Sequence, residues 1–148
     1  LLDKERIVIQ NYGNINVTNF MIIGIGIDLA EVRRIEKLLG RPARFVRQIF
    51  TAGEIRYCEK KKSPAESYAA QFAAKEAFLK AIGTGWGTAQ SPKWTEIEIV
   101  SKSAGSSPAL KLSGKAQIIA RELGVNKTHI SLTHTREYAM ALVILEGE

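Results

Sequence analysis

Two acidic residues and one lysine stand out as groups able to do chemistry. Glu76 and Lys80 lie four apart in a stretch from Tyr68 to Ala81 that is otherwise rich in alanine, phenylalanine and leucine. A helix apolar on most faces is largely buried, and charged side chains are seldom buried unless paired or coordinated. One reading of Glu76 and Lys80 is an exposed i,i+4 pair worth about 0.2–0.5 kcal/mol. The other is a carboxylate and an ammonium presented along a groove floored by small residues. Asp28 follows the apolar run Met21 to Ile27. It reads as a helix N-cap worth about 1 kcal/mol, and also as an acid at the end of a buried strand, where ligands approach. If Asp28 met Glu76, the two would form an oxygen-rich half-shell of the kind Mg²⁺ accepts, completed by waters and phosphate oxygens. With Lys80 and nearby arginines, such a pair suits a diphosphate whose charge must be spread while the phosphorus is held in line.

Other candidates carry less. Gly83-Thr84-Gly85-Trp86-Gly87 places three glycines where backbone amides can approach an anion, though an ordinary glycine-terminated helix has the same composition. His134, in Ser131-Leu132-Thr133-His134-Thr135, sits among hydroxyls at a strand end, as either a packed residue or a ligand contact. His129 has no supporting context. Two histidines and one cysteine lack zinc-site spacing, and no Ser/His/Asp or Cys/His arrangement can be argued.

The elements that must position these groups follow from pattern. Met21 to Ile27 suits a buried strand in which Gly24 and Gly26 allow close backbone approach. Asp28 and Glu31 then read as a capping box opening a helix with Val32, Ile35, Leu38 and Leu39 at helical spacing, stopped at Gly40. A short helix is expected from Pro42 to Phe50. Thr51 and Glu54 form a second box, opening a helix that carries Ile55, Tyr57 and Cys58. Ser63-Pro64-Ala65-Glu66 forms a third, opening the alanine-rich helix, which runs to about Ile82 and stops at Gly83. Beyond it, Trp94 to Lys102 alternates as a half-buried strand, Ser103 to Pro108 turns, and Ala109 to Leu112 makes a short strand. A helix is expected over Ser113 to Leu123, then strands over Thr128 to His134 and Tyr138 to Leu145, joined near Arg136. The fold class is α+β: a single domain with an antiparallel sheet packed against a long central helix.

Residues 1–20 differ in composition from the rest, with Asn11, Asn14, Asn16 and Asn19 around Gly13. Met21 reads as a native start, residues 21–148 as the domain, and residues 1–20 as a leader or extension with short strands at Ile7 to Gln10 and Ile15 to Thr18. No apolar run approaches the ~20 residues that span a bilayer. The lone Cys58 cannot form an internal disulfide, so the cytoplasm is the expected compartment. Net charge is +6. Arg33 to Lys62 holds ten basic residues against three acids, +7, which is the whole excess. That density implies an anionic partner: nucleic acid, a phosphorylated ligand or an acidic protein.

Two segments resemble a known family. Gly24-Ile25-Gly26-Ile27-Asp28-Leu29, followed by Glu31-Val32-Arg33-Arg34-Ile35, is similar to the first signature of the phosphopantetheinyl transferases. Phe72-Ala73-Ala74-Lys75-Glu76-Ala77-Phe78-Leu79-Lys80-Ala81, followed by Gly83-Thr84-Gly85, is similar to the second. The likeness is greatest to the short bacterial form, the holo-[acyl-carrier-protein] synthases, and extends from Met21 to about Glu146. It implies transfer of phosphopantetheine from coenzyme A to a serine of an acyl carrier protein, supporting fatty acid biosynthesis and releasing adenosine 3′,5′-bisphosphate. By position, Asp28 and Glu76 would hold Mg²⁺ and Lys80 would contact the diphosphate. Gly83 and Thr84 would line the coenzyme A site, and His134 would lie near its 3′-phosphate end. Arg34, Arg41 and Arg44 would receive the carrier's acidic helix. The resemblance further implies a homotrimer with active sites between subunits. Gln71 stands where relatives often carry arginine, and residues 1–20 have no counterpart. The rival reading is a basic nucleic-acid-binding protein without catalysis, against which the scarcity of aromatic residues in the basic stretch counts.

Overall fold

The computed structural model describes residues 20–84, 87–101 and 107–148. Period-two alternation along β1 (Met21–Glu31) turns Gly24, Gly26, Asp28 and Ala30 to one face and leaves Ile25, Ile27 and Leu29 exposed on the other. After β1 come α1 (Val32–Leu39), α2 (Ala43–Ile49), α3 (Ala52–Glu59) and the long α4 (Pro64–Ala81). A 3-10 turn (Trp94–Glu96) leads into the hairpin of β2 (Ile97–Val100) and β3 (Ala109–Leu112), followed by α5 (Gly114–Glu122), β4 (Val125–His134) and β5 (Tyr138–Gly147). The main sheet is antiparallel in the order β1-β5-β4, and β2 and β3 form a separate two-stranded sheet.

α4 is the core. Tyr68, Ala69, Ala73, Ala74, Ala77 and Phe78 are buried, and α4 packs over the face of β1 and β5 that carries Ala139, Ala141, Val143 and Leu145. The helix approaches β1 so closely that a Cβ on Gly24 would overlap the carbonyl oxygen of Ala81, and one on Gly26 that of Ala77. Glycine is required at both positions because nothing there can yield: the obstacle is helix backbone, not a mobile side chain.

Helix starts follow the sequence only in part. Thr51 and Glu54 make the full capping box, with the Thr51 hydroxyl accepting from the Glu54 amide and the Glu54 carboxylate from the Thr51 amide. The expected box at Asp28 is not formed. β1 continues three residues past Asp28, and Glu31 occupies the N-cap of α1 without a side-chain hydrogen bond. Pairing with β5 through Asp28↔Ala141 and Ala30↔Ala139 outweighs the local capping preference. The Ser63 box also fails. Pro64 does start α4, but Ser63 makes no cap hydrogen bond, and Glu66 turns instead to His134. The strand expected from Trp94 begins as the 3-10 turn, and the strand proper starts at Ile97. Lys102, most of the turn expected before Pro108, and the short strands expected before residue 20 lie outside the described residues.

Gly26→Ala is expected to lower stability by about 3 kcal/mol, the upper end for overpacking, and Tm by roughly 10 °C. A thermal melt within 2–3 °C (about 1 kcal/mol) of the parent would show that helix and strand are not locked together there.

Candidate active site

The strand–helix approach delivers the two acids to one place. Asp28 is on the face of β1 that α4 covers, one alternation beyond Gly26, and its side chain is 17% exposed. Glu76 is half-buried on the flank of α4 that looks toward β1 and α1. Both line an open cleft of about 740 Å³ between β1, α1, α2 and α4, a volume suited to a small-molecule ligand. The two carboxylates act on each other: burial, and then the negative charge of Asp28, raise the pKa of Glu76 above its ordinary value, with Lys80 opposing.

Lys80 does not pair with Glu76 as an i,i+4 surface pair would. Its ammonium donates to Asp28 Oδ1 at 2.8 Å and to the Ile27 carbonyl at 3.0 Å. The side chain is 53% exposed, which leaves it room to turn toward a phosphate. Among the described residues Lys80 is thus the one cation in direct contact with these carboxylates, and it touches Asp28 rather than Glu76. The donor set fits Mg²⁺, which takes one or two carboxylates and completes its shell with waters and substrate oxygens. Among the described residues, no cluster of three or more Asp, Glu, His or Cys side chains could hold a metal ion without such outside ligands.

Arg34 and Arg41 lie on the rim of the same cleft, and both are exposed. Arg44 is not in its lining but rests its guanidinium 4.9 Å from the ring of Phe45, which is. The positive stretch thus borders the carboxylates.

At the end of α4, Gly83 has φ +73° and its amide donates to Lys80 O, while the Thr84 amide donates to Leu79 O. This is a Schellman closure, so these two amides are engaged by the helix rather than turned to an anion. The group left over is the Thr84 hydroxyl, buried and without a partner among the described residues, and a ligand atom would satisfy it. Gly85 and Trp86 lie outside the described residues.

His134 is not brought to the carboxylates. It sits on β4, the strand farthest from β1, with Nδ1 3.1 Å from Glu66 in the first turn of α4. Glu66 and Glu76 are ten residues apart in one helix, about 15 Å along its axis. Gln71 is 2% exposed and its Oε1 is without a hydrogen-bond partner among the described residues.

Sequence reasoning missed the apolar walls of the cleft. Leu38, Phe45, Ile49, Phe72 and Trp94 line it, and the Phe72 and Trp94 rings stack with centroids 5.1 Å apart. Phe72 was visible as part of the alanine-rich helix, but its partner comes from 22 positions later and no local pattern joins them.

A model of the 4′-phosphopantetheinyl transferase superfamily matches residues 24–143. A holo-[acyl-carrier-protein] synthase of Solibacter usitatus (strain Ellin6076) is 47% identical over 128 residues, covering 86% of this chain and 100% of the relative. Among solved structures, holo-ACP-synthase from Plasmodium yoelii superposes with a TM-score of 0.74 at 30% identity, covering 88% of this chain and 99% of that one. The holo-(acyl-carrier-protein) synthase of Bacillus anthracis str. Ames, in complex with CoA (3′,5′-ADP), gives 0.68 at 36% identity, covering 86% and 99%. The match spans most of β1 through most of β5, including the strand–helix contact that sets Asp28 beside Glu76, and on it the chain belongs to the 4′-phosphopantetheinyl transferase superfamily.

Proposed function

We propose that this protein transfers the 4′-phosphopantetheine group of coenzyme A to a serine hydroxyl of an apo acyl carrier protein, in service of fatty acid biosynthesis in the cytoplasm. The observation that carries the reading is the convergence of Asp28, Glu76 and Lys80 on one cleft in a member of this superfamily. The serine oxygen bonds to the phosphorus that bears the pantetheine. The bond from that phosphorus to the bridging oxygen breaks, and adenosine 3′,5′-bisphosphate leaves.

Asp28 and Glu76 would hold Mg²⁺, which supplies charge neutralisation at the diphosphate. Lys80, released from Asp28, would stabilise negative charge on the transferring phosphoryl group. Gly83 and Thr84 would border the coenzyme A, with the Thr84 hydroxyl offered to it. The serine proton would pass to a base at the same cleft, either Glu76 or a water on the metal, and a carboxylate is the poorer base while it holds the ion. Arg34, Arg41 and Arg44 would meet the acidic helix of the carrier. Nucleic acid is not needed to account for the basic stretch.

His134 stands apart from Asp28 within one chain, which favours a composite site shared by neighbouring copies. The outer face of the main sheet supports this: Ile25 is 57%, Ile27 53%, Leu29 61% and Met140 38% exposed. Such a face is unusual on a monomer, and a homotrimer would cover it.

Three outcomes are expected. Asp28→Ala or Glu76→Ala should lower conversion of apo to holo carrier at least ~100-fold, with circular dichroism unchanged. Phosphopantetheine mass appearing on the carrier at the parent rate in either variant would reject the assignment.

The second concerns pH. Glu76 ionises at higher pH in the folded than in the unfolded protein. Its contribution to stability is therefore full below the ordinary carboxylate range and lost as pH rises through the raised value. Metal-free Glu76→Gln should accordingly melt higher than the parent at neutral pH, and Mg²⁺ should raise the Tm of the parent but not of the variant. A variant melting at or below the metal-free parent would contradict this.

The third tests sharing. Asp28→Ala and His134→Ala subunits, refolded together at random, should regain about a quarter of parental activity, the fraction of interfaces with both halves intact. No regain would place the site within one subunit.

A further inference from the structure

Lys75 and Glu54 form an ion pair of 2.9 Å with both side chains fully buried. Replacing such a pair by uncharged groups of similar size is often neutral or stabilising, so stability alone does not account for it. Its position gives another account. Lys75 immediately precedes Glu76 on α4, and successive helical side chains project about 100° apart. Glu76 points into the cleft while Lys75 points beneath the 3-10 turn. There Nζ donates to the carbonyl of Trp94 at 2.8 Å and to that of Ile97, gripping the turn at both ends. The turn's residues are only partly buried, so its backbone depends on anchors such as this one as well as on the packing of the Trp94 ring. Glu54 ties α3 and β2 to the same cation, accepting from the amides of Thr51 at 2.8 Å and Ile99 at 2.9 Å. On the other side of the turn the Trp94 ring stacks on Phe72, and both rings wall the cleft beside Glu76.

We infer that Lys75 is a positioning residue for substrate binding: by anchoring the Trp94 carbonyl it fixes the Trp94–Phe72 wall and so the width of the cleft next to Asp28 and Glu76. The inference rests on the transferase reading.

The test uses a Trp86→Phe parent, in which Trp94 is the only tryptophan of the original two. Glu54→Gln/Lys75→Met removes both charges together with the bonds to Trp94 and Ile97. Glu54→Gln alone removes the ion pair but keeps those bonds. The double variant is expected to show acrylamide quenching of Trp94 at least about twofold greater than the parent. Its KM for coenzyme A or carrier should rise at least about fivefold, with kcat changed less than about threefold. Glu54→Gln alone should lower Tm yet leave quenching and KM within about twofold. A double variant with parental quenching and KM would overturn the inference, as would the same KM rise in Glu54→Gln alone. If the double variant does not fold, Phe72→Leu, which removes the stacking ring and keeps the ion pair, decides: a raised KM supports the wall's role and an unchanged KM overturns it. Quenching needs no turnover, so failure of the transferase reading would show separately, as a parent that leaves the carrier unmodified.

Discussion

Gly24 and Gly26 let the carbonyls of Ala81 and Ala77 settle directly onto β1, and this contact between strand and helix backbones places the two carboxylates of the candidate site. Two residues further along the same face of the strand comes Asp28. One residue before Ala77 on the helix comes Glu76. Neither carboxylate is steered by a long side-chain network. Each is presented by a regular element, and the two elements are held at a separation that only glycine permits. Sites built this way are well suited to a metal-assisted reaction, because the donor atoms inherit the rigidity of the core.

That rigidity has an electrostatic consequence. Two carboxylates share a partly desolvated cleft, and one exposed ammonium answers them. Without a bound cation the arrangement is strained in the sense that Glu76 favours its proton more than a free carboxylate does. Functional sites commonly hold such uncompensated charge at some loss of stability. The arginines on the rim are exposed and make no direct ion pair with either carboxylate among the described residues. The cleft thus holds carboxylates inside, apolar rings along the wall and arginines at the mouth. The exposed aliphatic residues Ile25, Ile27 and Leu29 alternate along β1 with Gly24, Gly26 and Asp28, and Leu29 also reaches the lining of the cleft.

Much of this was legible in the residues. Glycine at alternate positions before an acid predicted the close strand, and small residues at helical spacing predicted a buried helix, while leaving Glu76 and Lys80 open between a surface pair and a groove. The Thr51–Glu54 capping box and the glycine stop at Gly83 follow from local rules and are present. What failed were local rules overruled at a distance. Asp28 has the look of an N-cap, but pairing with Ala141 carries β1 past it. Glu66 has the look of a capping-box member, but His134, 68 positions later, takes it. The amides of Gly83 and Thr84 looked available and are engaged in closing α4. Lys75 and Glu54 gave no warning of their burial: one sits in a charged-looking Lys-Glu pair, the other in a cap, and their meeting depends on how α3 crosses α4. The likeness to the phosphopantetheinyl transferases supplied roles for Arg34, Arg41, Arg44 and His134 that spacing alone does not give.

The central claim is that the oxygens of Asp28 and Glu76 converge on one divalent ion. Anomalous scattering from crystals grown with Mn²⁺ and adenosine 3′,5′-bisphosphate tests it most directly. The account predicts a single strong peak within bonding distance of both carboxylates, roughly 2.0–2.3 Å, with a phosphate oxygen completing its shell. Mn²⁺ bound elsewhere, or held by one carboxylate while the other points away from the nucleotide, would contradict it.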